Sequence, residues 1–214
     1  MGTYLKTFGL FLRSIFSKLG RLQLKAVFYR GLPGEYGILF RSKAFAKYFG
    51  YAGKNLRIYE GFRFRNLHKV MVGENVVIGI DNFFQAGGNI EIGSETVLGP
   101  GVKIWTQNQK CQELLTPYRE QGLEYLKVKI GQNVWIGPDS LIMPGVNVGD
   151  GCMVIAGSLV DRGEYPPYSI ISGNPACIIG NRMGNASGAQ NPSQIPGIAM
   201  KANPRDLPFL NIPR

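Results

Sequence analysis

The sequence predicts a mainly β solenoid, a coil of short strands stacked on one another, and three observations lead there. From Ile130 a branched aliphatic residue stands at every sixth position, through Ile136, Ile142, Val148 and Val154 to Val160. Six is neither the 3.6-residue period of a helix nor the two-residue alternation of a long strand. Between these anchors lie Gly, Asn and Asp, which reach turn conformations at less cost than other residues. A single coil cannot bury its apolar side alone, so a repeat of this kind folds by stacking on its neighbours.

The first fifty residues carry a different pattern. They hold nine Lys and Arg (Lys6, Arg13, Lys18, Arg21, Lys25, Arg30, Arg41, Lys43, Lys47) against one acid, Glu35, and so account for eight of the ten net positive charges. Leu5, Phe8, Leu12, Ile15, Leu19 and Leu22 recur at steps of three and four, which is one stripe of an amphipathic helix, with Lys6, Arg13, Lys18, Arg21 and Lys25 on the opposite side. Two readings stand. A basic amphipathic helix suits an anionic membrane surface, with residues 1–30 as a peripheral contact. Alternatively the stripe packs on the open end of the coil and caps it. The longest apolar stretch, Phe8-Gly-Leu-Phe-Leu, is far below the roughly 20 residues of a membrane span. Charges break the apolar region of the N-terminus too often for a cleaved secretory signal. The charge comes with no nucleic-acid-reading motif, so nucleic acid is not an expected partner.

An earlier set of hexads precedes the one at Ile130: Val72-Gly-Glu-Asn-Val-Val, Ile78-Gly-Ile-Asp-Asn-Phe, Ile92-Gly-Ser-Glu-Thr-Val and Leu98-Gly-Pro-Gly-Val-Lys. The repeat therefore runs from about Leu56 to Val160 with two interruptions. The first, Phe84 to Glu91, has eight residues where six would keep register, and reads as a bulge or short excursion in one coil. The second, about residues 105–127, is too long for a plain connection, and loops of that length are usually functional or disordered. Leu114, Leu115, Pro117, Tyr118, Tyr125 and Leu126 give it enough apolar surface for an ordered arm. From about Gly184 the chain is rich in breakers and poor in apolar residues, which predicts a tail.

The expected organisation is a basic helical region (1–50), a β-helix domain (51–183, with its arm at 105–127) and an extended tail (184–214). With 214 residues, 44% of them hydrophobic, the chain can bury a real core. Its three cysteines, Cys111, Cys152 and Cys177, lack metal-ligand spacing and read as free thiols in a reducing, cytoplasmic setting. No metal is expected.

The hexads, the arm ahead of Val134-Trp-Ile-Gly, the Ala156-Gly-Ser-Leu-Val turn and the Pro166-Pro-Tyr-Ser-Ile-Ile-Ser-Gly-Asn-Pro-Ala stretch together resemble the hexapeptide-repeat acyltransferases, in the branch of maltose, galactoside and polysaccharide O-acetyltransferases. The resemblance spans about residues 55–180. It implies a left-handed parallel β-helix, usually a homotrimer, with acetyl-CoA as acyl donor in a groove between subunits and a sugar or polysaccharide hydroxyl as acceptor. Left-handed crossover is an exception among parallel strands, so the handedness comes from the resemblance.

In that family a histidine acts as general base at the position that falls here on Gln109. A carboxamide donates and accepts hydrogen bonds but has no useful proton affinity near neutral pH. Three accounts stay open: a residue exchanged in an otherwise active enzyme, a protein that no longer catalyses, or an enzyme with another base. The lone histidine, His68, lies before the first clear hexad, where a surface or turn role is the commoner reading. The resemblance further places Asp81 or Asn82 near the acceptor, against an ordinary turn reading, and Trp135, Pro138, Ala156, Gly157 and Arg162 along the CoA groove. After Gly173-Asn-Pro-Ala the family commonly carries basic residues, where this chain has Cys177 and Gly180 and only Arg182 remains nearby. That departure gives weight to an alternative: a non-catalytic trimer that binds a glycan or a partner and scaffolds polysaccharide assembly.

Overall fold

The computed structural model describes residues 17–184. Short parallel strands stack into three faces of a prism, about six coils high. The first face orders Tyr51–Ala52, Val70–Val72, Ile90–Ile92, Val128–Ile130, Val146–Val148 and Gly163–Tyr165. The second orders Arg57–Ile58, Val77–Ile78, Val97–Leu98, Trp135–Ile136, Met153–Val154 and Ser169–Gly173. The third orders Arg63–Arg65, Phe83–Gln85, Lys103–Trp105, Leu141–Ile142 and Leu159–Val160.

Each coil is three hexads, and the anchor of each hexad points to the prism axis. Ile58, Ile78, Leu98, Ile136, Val154 and Ile171 form one buried column, while Phe84, Ile104, Ile142 and Val160 belong to another. The position two before an anchor is buried as well, and in places it is polar: Thr96, Ser140 and Ser158. These hydroxyls are satisfied by turn carbonyls, Thr96 donating to Gly131 O at 2.9 Å and Ser158 to Ile155 O at 2.6 Å.

Two of the three corners are tight, one left-handed residue per coil. The corner between first and second faces uses Asn55, Asn75, Glu95, Asn133, Gly151 and Tyr168, all at positive φ. The corner between second and third faces uses Gly61, Asp81, Gly101, Asp139 and Gly157. Asn, Asp and Gly tolerate this region, whereas Glu95 and Tyr168 adopt it at a cost. The third corner, from third face back to first, absorbs every irregularity. Met71 pairs with Tyr51 and Glu91 with Met71, each 20 residues on, and Lys129 pairs with Glu91 38 residues on. Asn147 then pairs with Lys129 after only 18 residues. The eight-residue interruption is therefore a short excursion at this corner, and it is not confined to one coil. Two extra residues enter at this corner in the first coil as well as the second, and the arm enters at the same corner of the third.

Both ends carry a covering element. Helices α1 (Lys18–Tyr29) and α2 (Gly34–Ala46) cover the first coil, with Leu22, Phe45, Tyr48 and Phe49 packed into the core beside Leu56, Ile58 and Phe62. Arg41 of α2 is fully buried and acts as a clamp, donating to Ile58 O and Tyr29 O at 3.0 Å each and to Leu32 O, with Glu60 at 3.5 Å. Burial pushes this guanidinium below its usual range and Glu60 partly opposes the shift. For Leu22, capping is thus what the structure records. Leu5, Phe8, Leu12 and Ile15 of the predicted stripe lie outside the described residues, as does the tail beyond Gly184. At the far end Ala176–Asn181 turns back antiparallel on Ser169–Gly173 and ends the second face.

Candidate functional site

The arm is an antiparallel hairpin, Gln107–Gln109 against Leu123–Tyr125, with a short helix α3 (Tyr118–Gln121) near its tip. It stands on the third corner of the coil beneath it. Thr106 there accepts from Gly88 N at 2.8 Å and donates to Gln85 O at 2.6 Å. Tyr125 lies so close over Gly87 that a Cβ would approach its ring to 2.7 Å. The glycine pair that broke the hexad period is the seat of the arm. Beyond that seat the arm touches little of its own chain: Leu114 and Leu115 are 98% and 99% exposed.

Gln109 is exposed on the hairpin, and its carboxamide donates to Gly122 O at 2.8 Å and to Tyr118 O. With both amide hydrogens directed at backbone carbonyls, only the side-chain oxygen is left to meet a ligand. His68 lies on a 3-10 turn, Leu67–Lys69, at the same corner two coils lower, about 10 Å along the prism axis at the usual strand spacing. It lines a cleft of about 640 Å³ between α1 and the first coil, with Gln23, Tyr48, Arg65 and Asn66.

Asp81 is an exposed member of the left-handed corner ladder, its carboxylate against Gly61. Asn82 is fully buried; its amide donates to Gly99 O at 2.8 Å and its Oδ1 has no partner. Four of the other predicted residues come together. Trp135 and Pro138 line a small apolar groove of about 160 Å³ on the second face with Tyr59, Val77 and Val97. Ala156 and Gly157 stand one coil further along the same corner, where Gly157 N donates to Pro138 O at 2.8 Å. Gly137 lies against the Ala156 backbone with no room for a side chain. Arg162 and Arg182 are elsewhere. Arg162 is exposed on the third corner, over Gly145, and Arg182 donates to Gly151 O on the first. Within one chain the predicted residues thus occupy three separate corners. Among the described residues no three His, Cys, Asp or Glu side chains stand together as a metal site would require.

Residues 127–162 match the bacterial transferase hexapeptide (six repeats) family. A maltose O-acetyltransferase from Clostridium difficile 630 superposes with a TM-score of 0.66 at 32% identity, over 75% of this chain and 84% of that one. The chain belongs to the hexapeptide-repeat acetyltransferase family. Its coil is the left-handed parallel β-helix of that family. A second member, a hexapeptide-repeat acetyltransferase from Vibrio cholerae O1 biovar eltor complexed with acetyl-CoA, shares the fold with a TM-score of 0.66 at 22% identity, over 78% of this chain and 90% of that one. By sequence, a probable acetyltransferase of Mycobacterium tuberculosis is 34% identical over 110 residues, 51% of this chain and 36% of that protein. The chain therefore spans about a third of that relative's length.

One set of residues escaped the sequence reading. The outer row of the third face, Arg63, Phe83 and Lys103, is in strand register at 20-residue spacing, as is the parallel row Arg65, Gln85 and Trp105 at its other edge. The hexad period hides both rows, because it flags the inward position and leaves the flanking ones unmarked.

Proposed function

We propose that the protein is an acetyl-CoA-dependent O-acetyltransferase acting on a sugar hydroxyl of a cell-surface polysaccharide or its precursor, as a homotrimer. The observation that carries this reading is the arm: a hairpin built on one corner of a β-helix, with position 109 at its exposed strand, in a chain 32% identical to a maltose O-acetyltransferase. In the reaction a base takes the acceptor hydroxyl proton as the oxygen attacks the thioester carbonyl. The C–S bond then breaks and the CoA sulfur leaves as a thiolate that picks up a proton. Acetyl-CoA would lie along Trp135, Pro138, Ala156 and Gly157, with Arg162 or Arg182 of an adjoining subunit of the proposed trimer offered to its phosphates. Asp81, exposed at the second corner, is available to an acceptor hydroxyl, whereas Asn82 would act through the turn it holds.

Gln109 cannot serve as the base. The two carbonyls that hold its amide are, however, what an imidazole needs: one N–H directed at Tyr118 O or Gly122 O fixes the tautomer and leaves the other nitrogen free to accept a proton. Gln109→His should therefore raise acetyl transfer to a sugar acceptor by about 10² or more, the usual worth of a positioned base. The check is acetyl-CoA turnover on a sugar panel for both proteins, with CoA binding measured beside it. Two inert proteins that also fail to bind CoA would leave the second reading, a glycan- or partner-binding trimer. That reading draws its support from the same amide, which is tied down by main chain as a structural residue would be.

A peripheral contact with the cytoplasmic face of an anionic membrane belongs to the same proposal. Among the described residues no helix is long and apolar enough to cross a membrane. The outer sides of α1 and α2 instead expose Val27, Phe28, Leu39 and Phe40 beside basic residues. Lys25 and Lys47 both stand over the Tyr48 ring, at 5.7 and 5.6 Å, and Lys25 pushes the Lys47 ammonium below its usual range. An anionic surface would relieve that crowding. Sedimentation with phosphatidylserine vesicles should fall for Val27→Ser with Phe28→Ser, two exposed positions of α1 whose loss leaves the cap in place; equal sedimentation of both proteins counts against the contact.

A further inference from the structure

The outer side of the third face, just below the arm, differs from the other two faces in its charge. On the first face cations and acids meet, as in Lys127 with Glu91. On the second, Arg57 is bound by Glu35 at 2.9 Å. The third-face strands contain no acidic residue, and their outward positions hold Arg63 and Arg65, then Phe83 and Gln85, then Lys103 and Trp105, on three successive strands. Arg63, Arg65 and Lys103 are exposed, and none pairs with a carboxylate among the described residues. The charge outside the N-terminal region is thus not evenly spread: among the described residues three cations beyond ion-pair distance of any carboxylate share one surface, with Asp81 and Asp139 at the corner that leads into their strands.

Two further observations make this surface a site and not merely a solvated one. The Phe83 and Trp105 rings meet at 5.5 Å and 59°, giving a half-buried apolar platform between the arginines and the arm. Beside it Gln85 is 7% exposed, and its Oε1 is buried without a hydrogen-bond partner. A buried orphan acceptor is uncommon and calls for a donor. A pyranose fits all three features. The C–H side of the ring gains dispersion on the aromatic platform, a ring hydroxyl can donate to Gln85 Oε1 once that side chain turns outward, and a charged substituent can reach the arginines one or two strands away, about 5–10 Å.

Resting on the acyl-acceptor reading above, we infer that the acceptor is an anionic sugar, a pyranose carrying a carboxylate or a phosphate, held by stacking on Phe83 and Trp105 with its charge on Arg63 and Arg65. Trp105 is four residues before Gln109, so a sugar on this platform lies toward the base position, with its charged end pointing away from the reacting hydroxyl. Arg63 and Arg65 are then specificity residues: exposed cations that select the acceptor without touching the bond that forms.

The test uses the full chain carrying Trp135→Phe, so that Trp105 is the one remaining tryptophan and its fluorescence reports on the platform. The probes are a galacturonic acid tetrasaccharide and its methyl ester, which removes the charge at the cost of one added methyl group per sugar, and glucose 1-phosphate beside glucose. The acid or the phosphate should bind at least about 10-fold more tightly than its neutral counterpart at low salt, with the advantage shrinking as salt screens it. Which of the two pairs shows the larger ratio identifies the carboxylate or the phosphate. Adding Arg63→Gln and Arg65→Gln together should abolish the advantage while leaving binding of the neutral sugar. Equal affinity for charged and neutral probes overturns the inference, as does an advantage that survives the double substitution. CoA binding, read by calorimetry on the unsubstituted chain, separates the two proposals. Loss of CoA binding removes the acetyltransferase reading, and loss of charge preference with CoA binding intact removes only the anionic acceptor.

Discussion

Cys152 illustrates how a single hexad position sets the chemistry of its side chain. It lies two residues before the anchor Val154, is fully buried, and its thiol donates to Pro166 O at 3.0 Å. Burial pushes the thiol pKa up, with hydrogen bonds from the Ser169 and Tyr168 segment opposing. The folded state therefore favours the protonated thiol. This contribution is complete below the unfolded value of about 8.5 and is lost as pH rises through the folded one, so alkali should destabilise the coil through this residue. Cys111 and Cys177 are exposed. In a thiol titration of the native protein two groups should react at once and the third at least about 100-fold more slowly, as an opening of a few kcal/mol implies. Three equally fast thiols would mean that the hexad around Cys152 is not closed. The burial of this residue is legible in the sequence because its neighbours keep the six-residue period. The same does not hold for Asn82, where Gly99 O from the next coil takes the amide and no local pattern points to that partner.

At the scale of elements, the legible part was what repeats locally. Anchors from Val72 to Val160 fall on the core because six residues carry the chain from one face to the next, so their spacing alone places them. The third corner was legible in the second coil and not in the first, because its excess is measured against the coil below and the pairing of Met71 with Tyr51 is not visible within one hexad. The arm was expected to be ordered, and its hairpin pairing and glycine seat are what order it. Its energetic independence follows from the same geometry. Coil residues on either side, Ile104 and Val128, are fully buried within the prism, whereas the hairpin beyond its root is exposed. Replacing residues 107–125 by a two-residue turn should therefore cost less than about 1 kcal/mol and shift Tm by no more than about 4 °C in a chain of this size. Any acetyl transfer should vanish with it. Calorimetric unfolding of the shortened chain checks the first half; a drop of more than 10 °C, on the order of 3 kcal/mol by the same scale, would make the arm a structural strap.

For the whole molecule the governing fact is that a stacked coil has two open ends. Every internal coil offers its strand edges and its apolar interior to a neighbour, and the terminal ones have none, so solenoids need caps. At the far end a return strand covers the edge of the second face, and the near end is covered by α1 and α2, which bring Phe45 to 5.5 Å from Phe64 and Leu22 into the same cluster. Burying each such aromatic is worth about 1.5–3 kcal/mol, and Arg41 adds hydrogen bonds to Ile58 O and Tyr29 O. The basic N-terminal region therefore has a structural duty whether or not it also meets a membrane, and the two can be told apart. A chain starting at residue 51 would leave Ile58, Phe62 and Phe64 facing solvent with the Tyr51–Ala52 edge unpaired, and should refold into large assemblies. Removal of residues 1–16, before α1 begins, spares every cap contact described here and should leave a monodisperse protein. Size exclusion with light scattering on both truncations decides the matter. A monodisperse chain from residue 51 would show the first coil to be stable uncovered, and would leave surface binding as the remaining role for the helices.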